Sequence, residues 1–213
     1  MDESFWHNKW ASKDIAFHTA KPNPLLLQYF KQLGLEKGAR VFLPLCGKTL
    51  DIGWLLQQGC RVAGAELSTI AVEELFAELN LVPQHNKVGG LTHYHAENID
   101  IFVGDIFTLT PELLGKVDAI YDRAALVALP DNLRAAYTKL LKEMTRSAPQ
   151  LLINYEYDQS KQAGPPFSIS DEELVRHYQS AYQLNLLSSE EVPGGLKGQC
   201  PALEKVWLLK TYF

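Results

Sequence analysis

The residues able to do chemistry in this chain gather at a few turns. Pro44-Leu45-Cys46-Gly47-Lys48-Thr49 follows an apolar run and leads into a helical pattern. Gly47-Lys48-Thr49 has the ending of a phosphate-binding loop, but that motif needs a glycine where Phe42 stands, and without it the backbone cannot cradle phosphates. The GxGxxG fingerprint for a dinucleotide pyrophosphate is missing too, because Gly47 is the only glycine of the turn and Gly53 comes too late. What remains is Gly47 and an acid, Glu66, 19 residues later at the close of the next apolar run. A carboxylate there can accept both hydroxyl hydrogens of a ribose with no pyrophosphate site, which points to adenosine binding. The plainer alternative is a surface acid at a strand end. Asp105, after Gly104, closes the third such run and can face an adenine edge. Asp122-Arg123 closes the fourth; the two are either a structural ion pair or groups facing the same crevice.

The elements that must position these residues alternate between Val/Ile/Leu/Phe-rich runs and helical periods, the pattern of a parallel sheet covered on both faces. Strands are expected at 39–45, 60–66, 99–104, 117–121 and 151–155, with helices at 49–58, after a Ser68 cap, at 131–146 and at 171–181. Ser170 and Glu173 have capping-box spacing. The runs 184–192 and 204–212 are joined without a crossover helix and so must form an antiparallel hairpin. Residues 82–98 are polar, with no clear period. Ahead of the core, helical candidates at 4–10 and 24–33 carry Trp6 and Trp10 and can cover the carboxyl ends of the strands.

With 213 residues, 46% of them apolar, and no Pro/Gly/Ser-rich linker, one domain is expected: an N-terminal extension over 1–34 and a sheet core over 35–213. A net charge of −5 with scattered basic residues gives no footprint for nucleic acid. The N-terminus lacks the apolar region of a secretory signal, and no run approaches the ~20 apolar residues of a membrane span, so the cytoplasm is the expected location. Cys46, Cys60 and Cys200 fit reduced thiols better than disulfides or a zinc cluster. His93-x-His95 has no partner ligands nearby, and no metal is expected.

Taken together, Trp10, Phe17-His18, Pro44-Leu45-Cys46-Gly47-Lys48, Glu66, Asp122-Arg123-Ala124-Ala125-Leu126-Val127-Ala128-Leu129 and Gly164-Pro165-Pro166-Phe167 resemble the thiopurine S-methyltransferase family over nearly the whole length. The resemblance implies a Rossmann-like α/β fold of the class I S-adenosylmethionine-dependent type. Its sheet would have seven mostly parallel strands, a C-terminal antiparallel hairpin and an N-terminal helical lid. It implies S-adenosylmethionine as cofactor, in contact with Trp10, Leu45, Gly47, Glu66 and Arg123, with Asp105 and Ile106 beside the adenine. Phe17 would border the acceptor pocket and Arg123 would act in catalysis. The acceptor would be a small-molecule thiol of thiopurine or aromatic type and the protein a monomer. Rival acceptors are inorganic selenium or tellurium species, a halide or thiocyanate. Outside that class stand a nucleotide-dependent oxidoreductase, disfavoured by the missing glycines, and a non-catalytic S-adenosylmethionine-binding protein. The loop 193–203, with Lys197 as its one basic group, departs most from the family.

Overall fold

The structure, a computed structural model, describes residues 3–15 and 18–212. It divides into two compact units, Met1–Ile120 and Tyr121–Phe213. The first contains α1 (Glu3–Ala11), α2 (Pro24–Tyr29), β1 (Arg40–Leu43), α3 (Asp51–Gln57), β2 (Arg61–Glu66), α4 (Thr69–Glu78), β3 (Gln84–Val88), β4 (Leu91–Ala96), β5 (Ile99–Val103) and the short α5 (Pro111–Leu114). Strand β6 (Ala119–Arg123) crosses the division.

In the first unit the strands lie in the order β3-β4-β5-β2-β1-β6. β1, β2 and β5 pair in parallel, and β6 pairs in parallel with β1 through Val41 and Ala119, Phe42 and Ile120. Val41, Phe42 and Leu43 are all buried, as expected of an inner parallel strand covered on both faces. The chain steps outward from β1 to β2 to β5 and then returns to the other side of β1. The carboxyl end of β1, where the order reverses, is the general ligand position in such sheets. Ser68 caps α4, its side chain accepting from the Ala71 N–H at 3.3 Å, and the helix buries Val72, Leu75 and Phe76.

The stretch 82–98 differs from expectation. It forms an antiparallel hairpin of β3 and β4 whose second strand continues the sheet onto β5. The described residues therefore hold nine strands rather than seven. The missing signal has a physical cause: Gln84, His85, Asn86 and Lys87 of β3 are all exposed, and the buried positions of β4, Leu91 and Tyr94, fall on opposite faces. Neither strand then shows the apolar/polar alternation by which a half-buried strand is recognised. His93, on β4, bonds through Nε2 to Asp100 Oδ1 at 2.9 Å.

The second unit contains α6 (Asp131–Thr145), β7 (Gln150–Tyr157), α7 (Asp171–Tyr178), β8 (Tyr182–Glu191) and β9 (Ala202–Thr211). β7, β9 and β8 lie in that order with both pairings antiparallel, and the direct β8–β9 connection is the expected hairpin. Ser170 caps α7 by accepting from the Glu173 N–H at 3.2 Å. The Glu173 carboxylate does not close a capping box; it receives both N–H···O contacts from Arg134 at 2.9 and 3.0 Å.

Candidate cofactor and acceptor site

At the end of β1 the chain turns through two left-handed residues, Leu45 (φ 47°) and Gly47 (φ 54°). Leucine in this region costs about 1–2 kcal/mol, and such strain persists only where the surroundings over-determine it. Here they do. The Cys46 N–H donates to the Ala65 carbonyl at 2.9 Å, and the Gly47 N–H donates to Glu66 Oε2 at 2.7 Å. The turn comes this close because β2 carries Gly64 on the same face as Glu66: a Cβ at Gly64 would stand 2.9 Å from Cys46 Sγ and 2.7 Å from Ile101 Cδ1. On the other side, the buried Trp10 indole lies against Gly47, 3.0 Å from where a Cβ would be.

Glu66 is buried, 6% exposed, at the carboxyl end of β2, so it is no surface acid. Its other oxygen, Oε1, accepts from the Ser68 N–H at 2.8 Å. Burial raises its pKa above the usual carboxylate value, and the N–H groups of Ser68, Gly47 and Leu67 act against that rise. Each carboxylate oxygen has a second acceptor position. A fixed acceptor pair of this kind suits a vicinal diol, which brings two hydroxyl donors and no competing charge. Beside it, Gly104 donates to the Glu66 carbonyl at 2.9 Å, so Asp105 and the buried Ile106 follow directly past the end of β5. Asp105 Oδ1 caps the next turn through the Phe107 N–H at 3.0 Å.

Lys48 does not point a charge at this cradle. Its ammonium bridges Glu74 at 2.9 Å and Glu78 at 2.7 Å on α4, tying the turn to that helix. Asp51 and Asn23 hold the N-terminal segment to α3: the Asn23 N–H donates to the buried Asp51 carboxylate at 2.6 Å. The structure thus gathers Trp10, Leu45, Gly47, Glu66, Asp105 and Ile106 in the first unit. Phe17 lies outside the described residues.

The second unit holds the other group. Asp122 is fully buried and accepts from the Tyr137 hydroxyl at 2.7 Å and the Leu126 N–H at 3.1 Å. Burial pushes its pKa up to about 6 against those hydrogen bonds. Successive strand residues point to opposite faces, so with Asp122 turned to Tyr137 on α6, Arg123 turns the other way. Burial, and then the Glu204 charge and hydrogen bond, raise the pKa of Tyr155 well above the ordinary phenol value, with the Arg123 charge weakly opposing; the Tyr155 hydroxyl donates to Glu204 Oε1 at 2.9 Å. Asp122 therefore builds the scaffold through Tyr137 and Leu126.

Comparison with known proteins gives the family of the chain. The family model described as thiopurine S-methyltransferase matches residues 1–206. The chain belongs to the thiopurine S-methyltransferase family. It is 56% identical to a thiopurine S-methyltransferase of Xanthobacter autotrophicus, over 99% of both chains. A relative of the same name from Acinetobacter baylyi is 47% identical over the full length of both. In fold it is similar to an S-adenosylmethionine-dependent methyltransferase of Anabaena variabilis (TM-score 0.62, 16% identity, 98% and 95% of the two chains covered). It is likewise similar to a Burkholderia thailandensis 1,6-didemethyltoxoflavin-N1-methyltransferase crystallised with S-adenosylhomocysteine (TM-score 0.65, 17% identity, 98% and 87% covered). As a thiopurine S-methyltransferase family member the protein is an S-adenosylmethionine-dependent methyltransferase, and the oxidoreductase reading falls away.

Sequence reasoning missed two supports of this site. Gly64 had a readable signal, since a glycine inside a strand pattern marks a close backbone approach. Tyr155 had none: only the register of β7 against β9 sets it opposite Glu204.

Proposed function

We propose that the protein transfers the methyl group of S-adenosylmethionine to a small aromatic or heterocyclic thiol, acting in the cytoplasm as a monomeric single catalytic domain. The observation that carries the cofactor assignment is the buried Glu66 carboxylate, fixed by the Gly47 and Ser68 N–H groups with the Trp10 indole against the same turn. Glu66 would take the ribose hydroxyls, Asp105 and Ile106 would flank the adenine, and Trp10, Leu45 and Gly47 would form the wall beside the methionine portion. When bound, the cofactor supplies an electrophilic methyl group on a sulfonium. The work left to the chain is to orient the acceptor in line and exclude water.

Arg123 would serve the acceptor. Burial and Glu204 hold the Tyr155 phenol protonated and the Arg123 charge opposes them only weakly, but a positive charge beside a bound thiol would favour its thiolate. A thiol needs no strong base at neutral pH, which agrees with Asp122 being committed to Tyr137 and Leu126. The relatives named thiopurine S-methyltransferase support this choice of acceptor.

One paired experiment tests both halves: Glu66→Gln and Arg123→Gln, each measured by calorimetry with S-adenosylhomocysteine and by the pH profile of kcat at saturating aromatic thiol, which reads ionisation in the bound complex. Glu66→Gln should weaken the nucleoside by about 1.5–3 kcal/mol, the range for hydrogen bonds to a charged group. Arg123→Gln should move the acceptor limb of the profile to higher pH. Unchanged nucleoside affinity in the first rejects the ribose role, and an unshifted limb in the second rejects the thiolate role.

A further inference from the structure

Around the Gly164-Pro165-Pro166-Phe167 stretch the second unit spends more polar contacts than a surface loop requires. The Phe167 N–H donates to the Val127 carbonyl at 2.6 Å, and the Tyr157 hydroxyl donates to the Pro166 carbonyl at 2.6 Å. Lys197, the basic residue of the last loop, donates to the Pro165 carbonyl at 2.8 Å. The Phe167 ring presses on Gly164, where a Cβ would come within 2.6 Å of it, so only glycine fits there. The loop is anchored to the segment that follows Arg123 and to β7: Phe167 bonds Val127, four residues after Arg123, and the Ile169 N–H donates to the Tyr155 carbonyl at 2.8 Å.

Arg134, 5% exposed on α6, joins these parts. Its guanidinium lies over the Phe167 ring at 5.5 Å, its Nε donates to the Leu129 carbonyl at 2.9 Å, and its Nη1 bonds both oxygens of Glu173 on α7. His177 Nε2 lies 3.3 Å from Glu173 Oε1, backing the carboxylate. A planar guanidinium can serve a carbonyl, a carboxylate and a ring face at once, which an ammonium cannot.

We propose that Arg134 is a positioning residue for the methyl acceptor: by holding Phe167 and the Leu129 carbonyl together, it fixes the 164–168 loop as one wall of the acceptor pocket beside Arg123. This rests on Arg123 serving the acceptor, as proposed above.

The test uses the full-length protein as Arg134→Lys, which keeps the charge, and as Phe167→Leu, which removes the ring and keeps the backbone. In Arg134→Lys, exchange of the Phe167 amide should quicken about tenfold, with the amides of β7 and β9 unaffected. Both variants should raise the KM for an aromatic thiol about fivefold, with smaller change in kcat and with S-adenosylhomocysteine affinity retained. Unchanged Phe167 exchange overturns the positioning role. Faster exchange with an unchanged thiol KM overturns the acceptor wall. Equal acceleration across β7 and β9 reduces Arg134 to a fold residue. Failure of the Arg123 reading appears elsewhere, in the pH profile of Arg123→Gln, so the two failures are distinguishable.

Discussion

Two buried carboxylates do opposite things in this protein, and their hydrogen bonds tell them apart. Glu66 is held by backbone N–H groups, and each of its oxygens has a second acceptor position. Asp122 is held by Tyr137 and Leu126 and shapes the segment that follows Arg123. Its folded pKa of about 6 lies above the ordinary 3.8, so the folded state holds the proton more tightly than the unfolded chain. The sign is then fixed: Asp122 costs nothing below about pH 4, its cost grows as pH rises to about 6, and it stays constant above that. The gap corresponds to about 3 kcal/mol. Subtracting the denaturant stability of Asp122→Asn from that of the native protein should give a difference that falls over this window and is flat at higher pH. A difference that rises with pH would mean that Asp122 is stabilised as the anion. The sequence located both acids at strand ends but could not separate their roles. For Asp122 the deciding partner, Tyr137, comes from α6, 15 residues away.

Among the elements, the turn after β1 depends on β2 as much as on its own residues. Gly64→Ala would push a methyl group against Cys46 Sγ and Ile101 Cδ1, and overpacking of this kind costs about 1–3 kcal/mol. It should also lift Gly47 away from Glu66 and weaken S-adenosylhomocysteine binding. Cys46→Ala, made in the Gly64→Ala background, removes one of the two atoms in the way, the one that belongs to the turn, and should restore part of both losses; strict additivity in that double-mutant cycle would refute the packing link. The βαβ units were legible because β1, β2 and β5 are apolar runs, with a helix after β1 and a Ser68-capped helix after β2. The β3–β4 hairpin was not, because its strands bury little and on no regular face. The Glu173 capping box failed for a related reason. Local spacing offered the carboxylate to its own helix, and Arg134, 39 residues earlier, took it.

Across the whole molecule, the family match runs through both compact units, and the single domain proposed above has a direct test. Calorimetry should then show one unfolding transition with equal calorimetric and van't Hoff enthalpies. S-adenosylhomocysteine at about 100 times its Kd should stabilise that transition as a whole, by about 2.7 kcal/mol. Two transitions, with only one responding to the nucleoside, would show units that unfold separately. The positions of the three cysteines bear on the chemistry as well. Cys46, Cys60 and Cys200 are all buried, and Cys46 is wedged under the very turn proposed to hold an alkylating cofactor. Burial, with the charge of Glu66 behind it, pushes the Cys46 thiol far above its ordinary pKa, and the protonated thiol is a poor nucleophile. With the cofactor placed at this turn as proposed, that burial would keep the Cys46 sulfur from competing with the acceptor for the methyl group.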